Sequence, residues 1–177
     1  MAEAVTNIAG VVVPSTSPIF LSVVAVHVAA GLAATVSGTL AMLSRKGPGR
    51  HPRWGQVYFW SLAATVALAS TLALVRWAED YPLAGLGWAS FAAALIARRA
   101  VTRRRPGWAP VHLGGMGSSY ILMLTAFYVD NGRFLPIWRS LPPSVYWLAP
   151  AAVGLPLILL VGARHPLVRK PAPKRSS

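Results

Sequence analysis

Five stretches of this chain are apolar for long enough to cross a bilayer, and nearly every charge lies between them. A membrane helix needs roughly 20 apolar residues to span about 30 Å of hydrocarbon, with its backbone polar groups bonded inside the segment. The stretches run from Pro18 to Leu43, Trp54 to Trp77, Leu83 to Val101, Trp108 to Val129 and Ser144 to Ala163. The third is the shortest and holds Arg98 and Arg99 in its last turns, where their side chains must reach out to the interface. The pattern predicts an all-α, polytopic membrane helical bundle of about five transmembrane helices over residues 18–163, between an N-terminal segment 1–17 and a basic tail 164–177. Residues 1–17 carry Glu3 and no basic stretch ahead of the first apolar run, so that run is expected to stay in the mature protein as a helix.

Charge gives these helices a direction. Lys and Arg are retained on the cytoplasmic side of short connections. Arg45, Lys46, Arg50 and Arg53 lie between the first two stretches, Arg98, Arg99, Arg103, Arg104 and Arg105 around the end of the third, and Arg164, Arg169, Lys170, Lys174 and Arg175 after the fifth. The other side receives only Arg76, Arg133 and Arg139, together with all four acids, Glu3, Glu79, Asp80 and Asp130. With an odd number of spans, this puts the N-terminus outside and the C-terminus in the cytoplasm, in a multi-pass protein of the plasma (inner) membrane. Composition agrees: 55% of the 177 residues are hydrophobic and 12% charged, against about 25% charged in soluble domains. The net charge of +13 is spread between apolar runs, so its expected partner is the bilayer, with anionic lipids on the cytoplasmic side, and not nucleic acid. There is no cysteine, which excludes disulfides, thiolate metal sites and a cysteine nucleophile.

Smaller features complete the pattern. No repeat with a period of 20 to 50 residues is visible, and the tail from Lys170 to Ser177 has the composition of a disordered segment. The connection from Asp130 to Pro143 carries Phe134, Leu135, Ile137, Trp138 and Leu141, which suits a segment lying in the interface over the helix ends. Pro150 and Pro156 each remove a backbone donor from the fifth helix and predict a kink.

Histidines supply the candidate chemistry, because an ionisable group inside a membrane is costly unless it faces a partner or a cavity. His27 lies nine residues into the first helix, about 13 Å from its outer end at 1.5 Å per residue. Its face continues through Ala30, Gly31, Ala34 and Gly38, a groove of small residues, while Val28, Leu32 and Val36 line the opposite side. His112 opens the fourth helix, on a face running through Gly115, Met116, Ser119 and Met123, with Tyr120 one turn further along. His27 and His112 differ in depth by about 20 Å, too far to share one ion. His51, just before the second helix, is the better companion for His112, and Arg50, Arg53 and Arg105 surround that pair in the sequence. A site from His51 and His112 suits a metal ion, haem b through an axial histidine and its propionates, or an anionic lipid headgroup. His165 reads as a solvated tail residue.

Two stretches together resemble a known family. They are His27-x3-Gly31-x6-Gly38 followed by Arg45-Lys46-Gly47, His51-x3-Gly55 and Tyr58, and His112-x3-Met116-x3-Tyr120 leading through Phe127 to Asp130-Asn131-Gly132. This ordered set, over roughly residues 20–160, is similar to the predicted membrane protein family catalogued as domain of unknown function 2306. The resemblance implies that His27, His51 and His112 matter but assigns them no role. No membrane carboxylate pair, phosphate-binding loop or metalloprotease helix is present, and Ser119 on the His112 face makes no triad. Enzymatic chemistry is therefore left open. The residues predict a bundle that binds a haem, a metal or another redox-active or polar ligand. The alternatives are a non-catalytic accessory subunit, bound to a membrane protein or another copy through its small-residue faces, and a small-solute transporter.

Overall fold

The structure, a computed structural model, describes residues 6–8, 11–13, 17–75, 77–165 and 168. The tail from Lys170 to Ser177, expected to be disordered, lies outside the described residues, as do Glu3 and Arg76. Five helices carry the chain: α1 (Pro18–Leu43), α2 (Arg50–Ala73), α3 (Trp77–Arg103), α4 (Trp108–Asn131) and α5 (Pro143–Arg164). They are preceded by an antiparallel pair of three-residue strands, β1 (Thr6–Ile8) and β2 (Val11–Val13), in the register Thr6 to Val13 and Ile8 to Val11. The sequence pattern assigns no element there, since three residues are too few to show an alternation of faces. The chain divides into two compact units, Met1–Gly85 and Leu86–Ser177.

Helices α1, α2 and α5 are long and apolar enough to cross a membrane. The other two have the length, 27 and 24 residues, but not the apolarity. Helix α3 opens with Glu79 and Asp80 and closes on Arg98, Arg99 and Arg103, and α4 spends positions on His112, Gly114, Gly115, Gly117, Ser118 and Ser119. Boundaries differ most from the hydropathy reading at the start of α2, at its end, which is Ala73 and not Trp77, and at the start of α3. Helix α2 begins at Arg50, so His51 lies inside its first turn and not ahead of it. Helix α3 begins at Trp77 and takes in residues assigned to a connection, Glu79 and Asp80 among them; carboxylates at the positive end of a helix dipole stabilise that start. Hydropathy misses both extensions because charged first turns are helical without being apolar.

In the first unit α1 and α2 run antiparallel. Two side-chain bonds fix their register, His27 to the carbonyl of Thr65 and His51 to the carbonyl of Ala41, and in both the residue numbers add to 92. The same register puts Ala34 level with Tyr58 and Ala30 level with Leu62. Ala34, Ser37, Gly38 and Ala41 are buried, while Leu32 and Val36 on the other side of α1 are 62% and 56% exposed. A helix that hides its small residues and shows its large apolar ones matches a lipid surround, where close backbone approach drives packing.

In the second unit α4 packs on both α3 and α5. Ser90 donates to the carbonyl of Ser119 at 2.8 Å and His112 bonds the carbonyl of Ala97, pairs that both add to 209. Between them Gly115 comes so close to α3 that a Cβ there would stand 2.9 Å from the Ala93 carbonyl oxygen and 2.9 Å from the Ala97 Cβ. Against α5 the fit is reciprocal: Gly117 receives Ile158, Gly154 receives Ile121 and Gly162 receives Leu113, all adding to 275. Helix α5 continues through Pro150 and Pro156. The connection from α4 to α5 forms two 3-10 turns, Gly132–Phe134 and Trp138–Ser140. Trp138 stacks on Tyr128 at 4.1 Å between ring centroids, and the Tyr146 hydroxyl donates to the Trp138 carbonyl at 3.0 Å. This aromatic cluster ties the connection to the ends of α4 and α5.

The glycines of α4 therefore differ in consequence. Gly115→Ala should lower stability by about 1–3 kcal/mol, the usual range for overpacking a tight contact, because the neighbour is backbone. Gly114→Ala, with nothing within 4 Å of the new Cβ, should be neutral or stabilising, since alanine favours the helix. Unfolding of the two variants in mixed micelles, compared with the parent, measures the difference.

Candidate functional site: helix-borne histidines

His27, His51 and His112 share one arrangement. In each the ring Nδ1 faces a backbone carbonyl of the neighbouring helix, Thr65 at 3.1 Å, Ala41 at 2.9 Å and Ala97 at 3.3 Å. A carbonyl only accepts, so Nδ1 carries the proton and, in a neutral imidazole, Nε2 is the imine nitrogen. All three side chains are partly buried. His27 and His51 stand at opposite ends of the α1–α2 seam, fourteen positions apart in the register, which is about 21 Å at 1.5 Å per residue. They do not meet at one ion.

The two hairpins that hold His51 and His112 are built alike. Each has a basic turn containing Pro-Gly, Pro48-Gly49 and Pro106-Gly107, and the glycine ends the turn in a backbone conformation that side chains disfavour, with φ of 116° and 82°. Each then starts a 24-residue helix whose early histidine bonds an alanine carbonyl near the end of the helix before it. Gly49 and Gly107 are 58 residues apart, Ala41 and Ala97 56, His51 and His112 61. The likeness does not amount to a short-period repeat, because this spacing exceeds 50 residues and the apolar positions between the landmarks differ.

Local differences follow from the turns. At the first, the Lys46 ammonium donates to the carbonyls of Met42 at 2.8 Å and Ala41 at 3.3 Å, capping the end of α1. Partial burial against that helix end pulls the Lys46 pKa below the usual lysine value. Arg50 and Arg53 project from the exposed first turn of α2. At the second, the Trp108 ring lies 6.5 Å from the His112 ring at 47°, and Arg105 lines an open cleft together with Arg99 and Arg103.

A Cβ on Gly31 would meet the Thr65 Cγ2 at 3.9 Å, ordinary contact, so the seam beside His27 has room for a methyl group. Met116 and Tyr120 are partly buried on α4. His51 and His112 belong to different compact units. Among the described residues no three His, Cys, Asp or Glu side chains converge on a point. His165 is the C-cap of α5, its backbone N–H bonded to the carbonyl of Val161 at 2.9 Å; it is partly buried, not the solvated tail residue the sequence suggests. Sequence reading misses Ser90, whose partner Ser119 it places correctly on the His112 face; the signal is the seven-residue step from Ser90 to Ala97 that matches His112 to Ser119.

His27→Ala should destabilise the α1–α2 pair by about 0.6 kcal/mol, and no more than about 1.7 kcal/mol, the range for inter-helix side-chain bonds in membranes. The readout is the unfolding midpoint in mixed micelles, where an unchanged midpoint would contradict the bond. No family model, curated protein or solved structure matches this chain, so the likeness to the family named above rests on its motif residues.

Proposed function

We propose that this chain is a five-span protein of the plasma membrane, N-terminus outside and C-terminus in the cytoplasm, that binds a haem through its helix-borne histidines, His51 and His112 foremost. The reading is supported by one observation, the common bond from Nδ1–H to a backbone carbonyl. Ligating histidines are commonly held this way: the second nitrogen donates to a carbonyl, which fixes the tautomer, orients the ring and raises the basicity of Nε2. Haem suits the donor set better than a bare metal ion. The macrocycle brings four ligands of its own and needs one or two imidazoles, whereas a protein-only site needs three or four donors, and no such group converges among the described residues. The basic turns, with Arg50 and Arg53 at one and Arg105 at the other, are suited to propionates and to anionic headgroups of the inner leaflet.

A second reading is favoured by the same bonds. A histidine clamping two helices is complete as a packing device, and the chain then serves as an accessory subunit beside a membrane partner or a second copy.

The two readings differ in colour. Protein purified in mild detergent should show a Soret band that His51→Ala or His112→Ala removes or shifts, while Gly114→Ala leaves it intact. A colourless, metal-free protein, also after reconstitution with haemin, overturns the haem reading and leaves the packing role. Orientation is tested separately: Lys46→Cys should react with an impermeant maleimide only from the cytoplasmic side and Asp130→Cys only from outside, and labelling of both from one side overturns it.

A further inference from the structure

At the α3–α4 turn, three arginines and a tryptophan help to line an open cleft of about 230 Å³. Arg99 and Arg103 come from the last turns of α3, four positions apart and so on one face, and Arg105 comes from the turn itself. Trp108 is the first residue of α4. Like charges four apart on a helix repel, and here nothing offsets them: among the described residues none of the three arginines has a carboxylate partner, the acids of the chain being Glu3, Glu79, Asp80 and Asp130. No side chain caps the start of α4, whose N-cap is Gly107, so the positive end of that helix adds to the same field.

The cleft also has apolar lining. Ile96, one turn back along α3, and Val111, one turn on along α4, are 57% and 46% exposed although large and hydrophobic. Cationic groups at one end, an interfacial tryptophan beside them and exposed aliphatic side chains leading away along both helices fit an amphiphile with an anionic head. A free inorganic anion leaves the aliphatic wall unused, and a soluble acidic peptide leaves it in water.

We infer that this cleft binds an anionic phospholipid, its phosphate held by Arg99, Arg103 and Arg105, its glycerol level at Trp108, and an acyl chain along Ile96 and Val111. The cleft adjoins His112 through Trp108, whose ring lies 6.5 Å from the imidazole; its lipid reading rests on the membrane reading of α3 and α4 proposed above, and not on haem. Arginine suits it because the planar guanidinium meets phosphate oxygens two at a time, and tryptophan because its ring prefers the headgroup level.

Thermal unfolding of the purified full chain, with added phosphatidylglycerol, cardiolipin, phosphatidylcholine or inorganic phosphate, tests this. The two anionic lipids should raise the transition and phosphatidylcholine should not. Arg99→Gln/Arg103→Gln/Arg105→Gln should weaken the apparent lipid affinity at least tenfold, while Arg45→Gln/Arg139→Gln/Arg164→Gln, an equal loss of charge outside the cleft and outside the histidine-bearing first turns, should weaken it less than threefold. Should the first triple variant fold poorly, Arg103→Gln with Trp108→Phe replaces it, with an expected loss of at least threefold. Equal loss from both triple variants, stabilisation by phosphate alone, or no preference for anionic lipid overturns the site. Labelling of Arg103→Cys with an impermeant maleimide reads the side of the membrane independently, so a reversed orientation with intact lipid preference refutes the topology and not the cleft.

Discussion

A polar group with no water beside it must find its partner inside the protein, at a cost of several kcal/mol if it does not. Among the described residues, every buried side-chain nitrogen and oxygen has one. Serine and threonine hydroxyls satisfy the rule locally by bonding the carbonyl four residues back, as Thr35, Thr39, Thr65, Ser70 and Thr125 do. Histidine cannot reach its own helix in that way. His27, His51 and His112 reach a neighbouring helix, and by doing so they set the registers on which the seams depend. Ser90 does the same for α3 and α4.

What the sequence reveals and what it hides follow from the length scale of each signal. The helices are legible because long runs of mostly apolar positions leave few alternatives, least so in the third, which is the shortest and holds Arg98 and Arg99, and the small-residue face of α1 is legible because Ala30, Gly31, Ala34 and Gly38 recur at helical spacing from His27. The first turns of α2 and α3 are not, since Arg50, Arg53, Glu79 and Asp80 make them polar. Registers are invisible to hydropathy altogether: that Gly117 faces Ile158 and Gly154 faces Ile121 requires two helices to be read against each other. For the candidate site, the sequence singles out the three histidines, but not the carbonyls they choose, because every residue of every helix offers one.

The likeness between the two histidine hairpins bears on both functional readings. Basic turn, positive-φ glycine, early histidine and alanine carbonyl recur in the same order, so the chemistry at one hairpin constrains what is expected at the other. The turns diverge where ligand selection would act: Lys46 is spent on capping α1, while Arg99, Arg103 and Arg105 stay unpaired by any carboxylate among the described residues and border the cleft.

The matched seam between α3 and α4 also bears on biogenesis. Helix α1 is 26 residues without a charge and can leave the translocon for lipid unaided. Helix α3 has a serine, several alanines and an arginine-rich end, and α4 has glycines, serines and a histidine; Ser90 of the one is met by Ser119 of the other, and His112 by the Ala97 carbonyl. On the five-span reading proposed above, such helices would gain from entering together, with α3 waiting in the channel until α4 has been synthesised. The Ser90–Ser119 and Ala97–His112 contacts are then a condition of insertion as well as of packing.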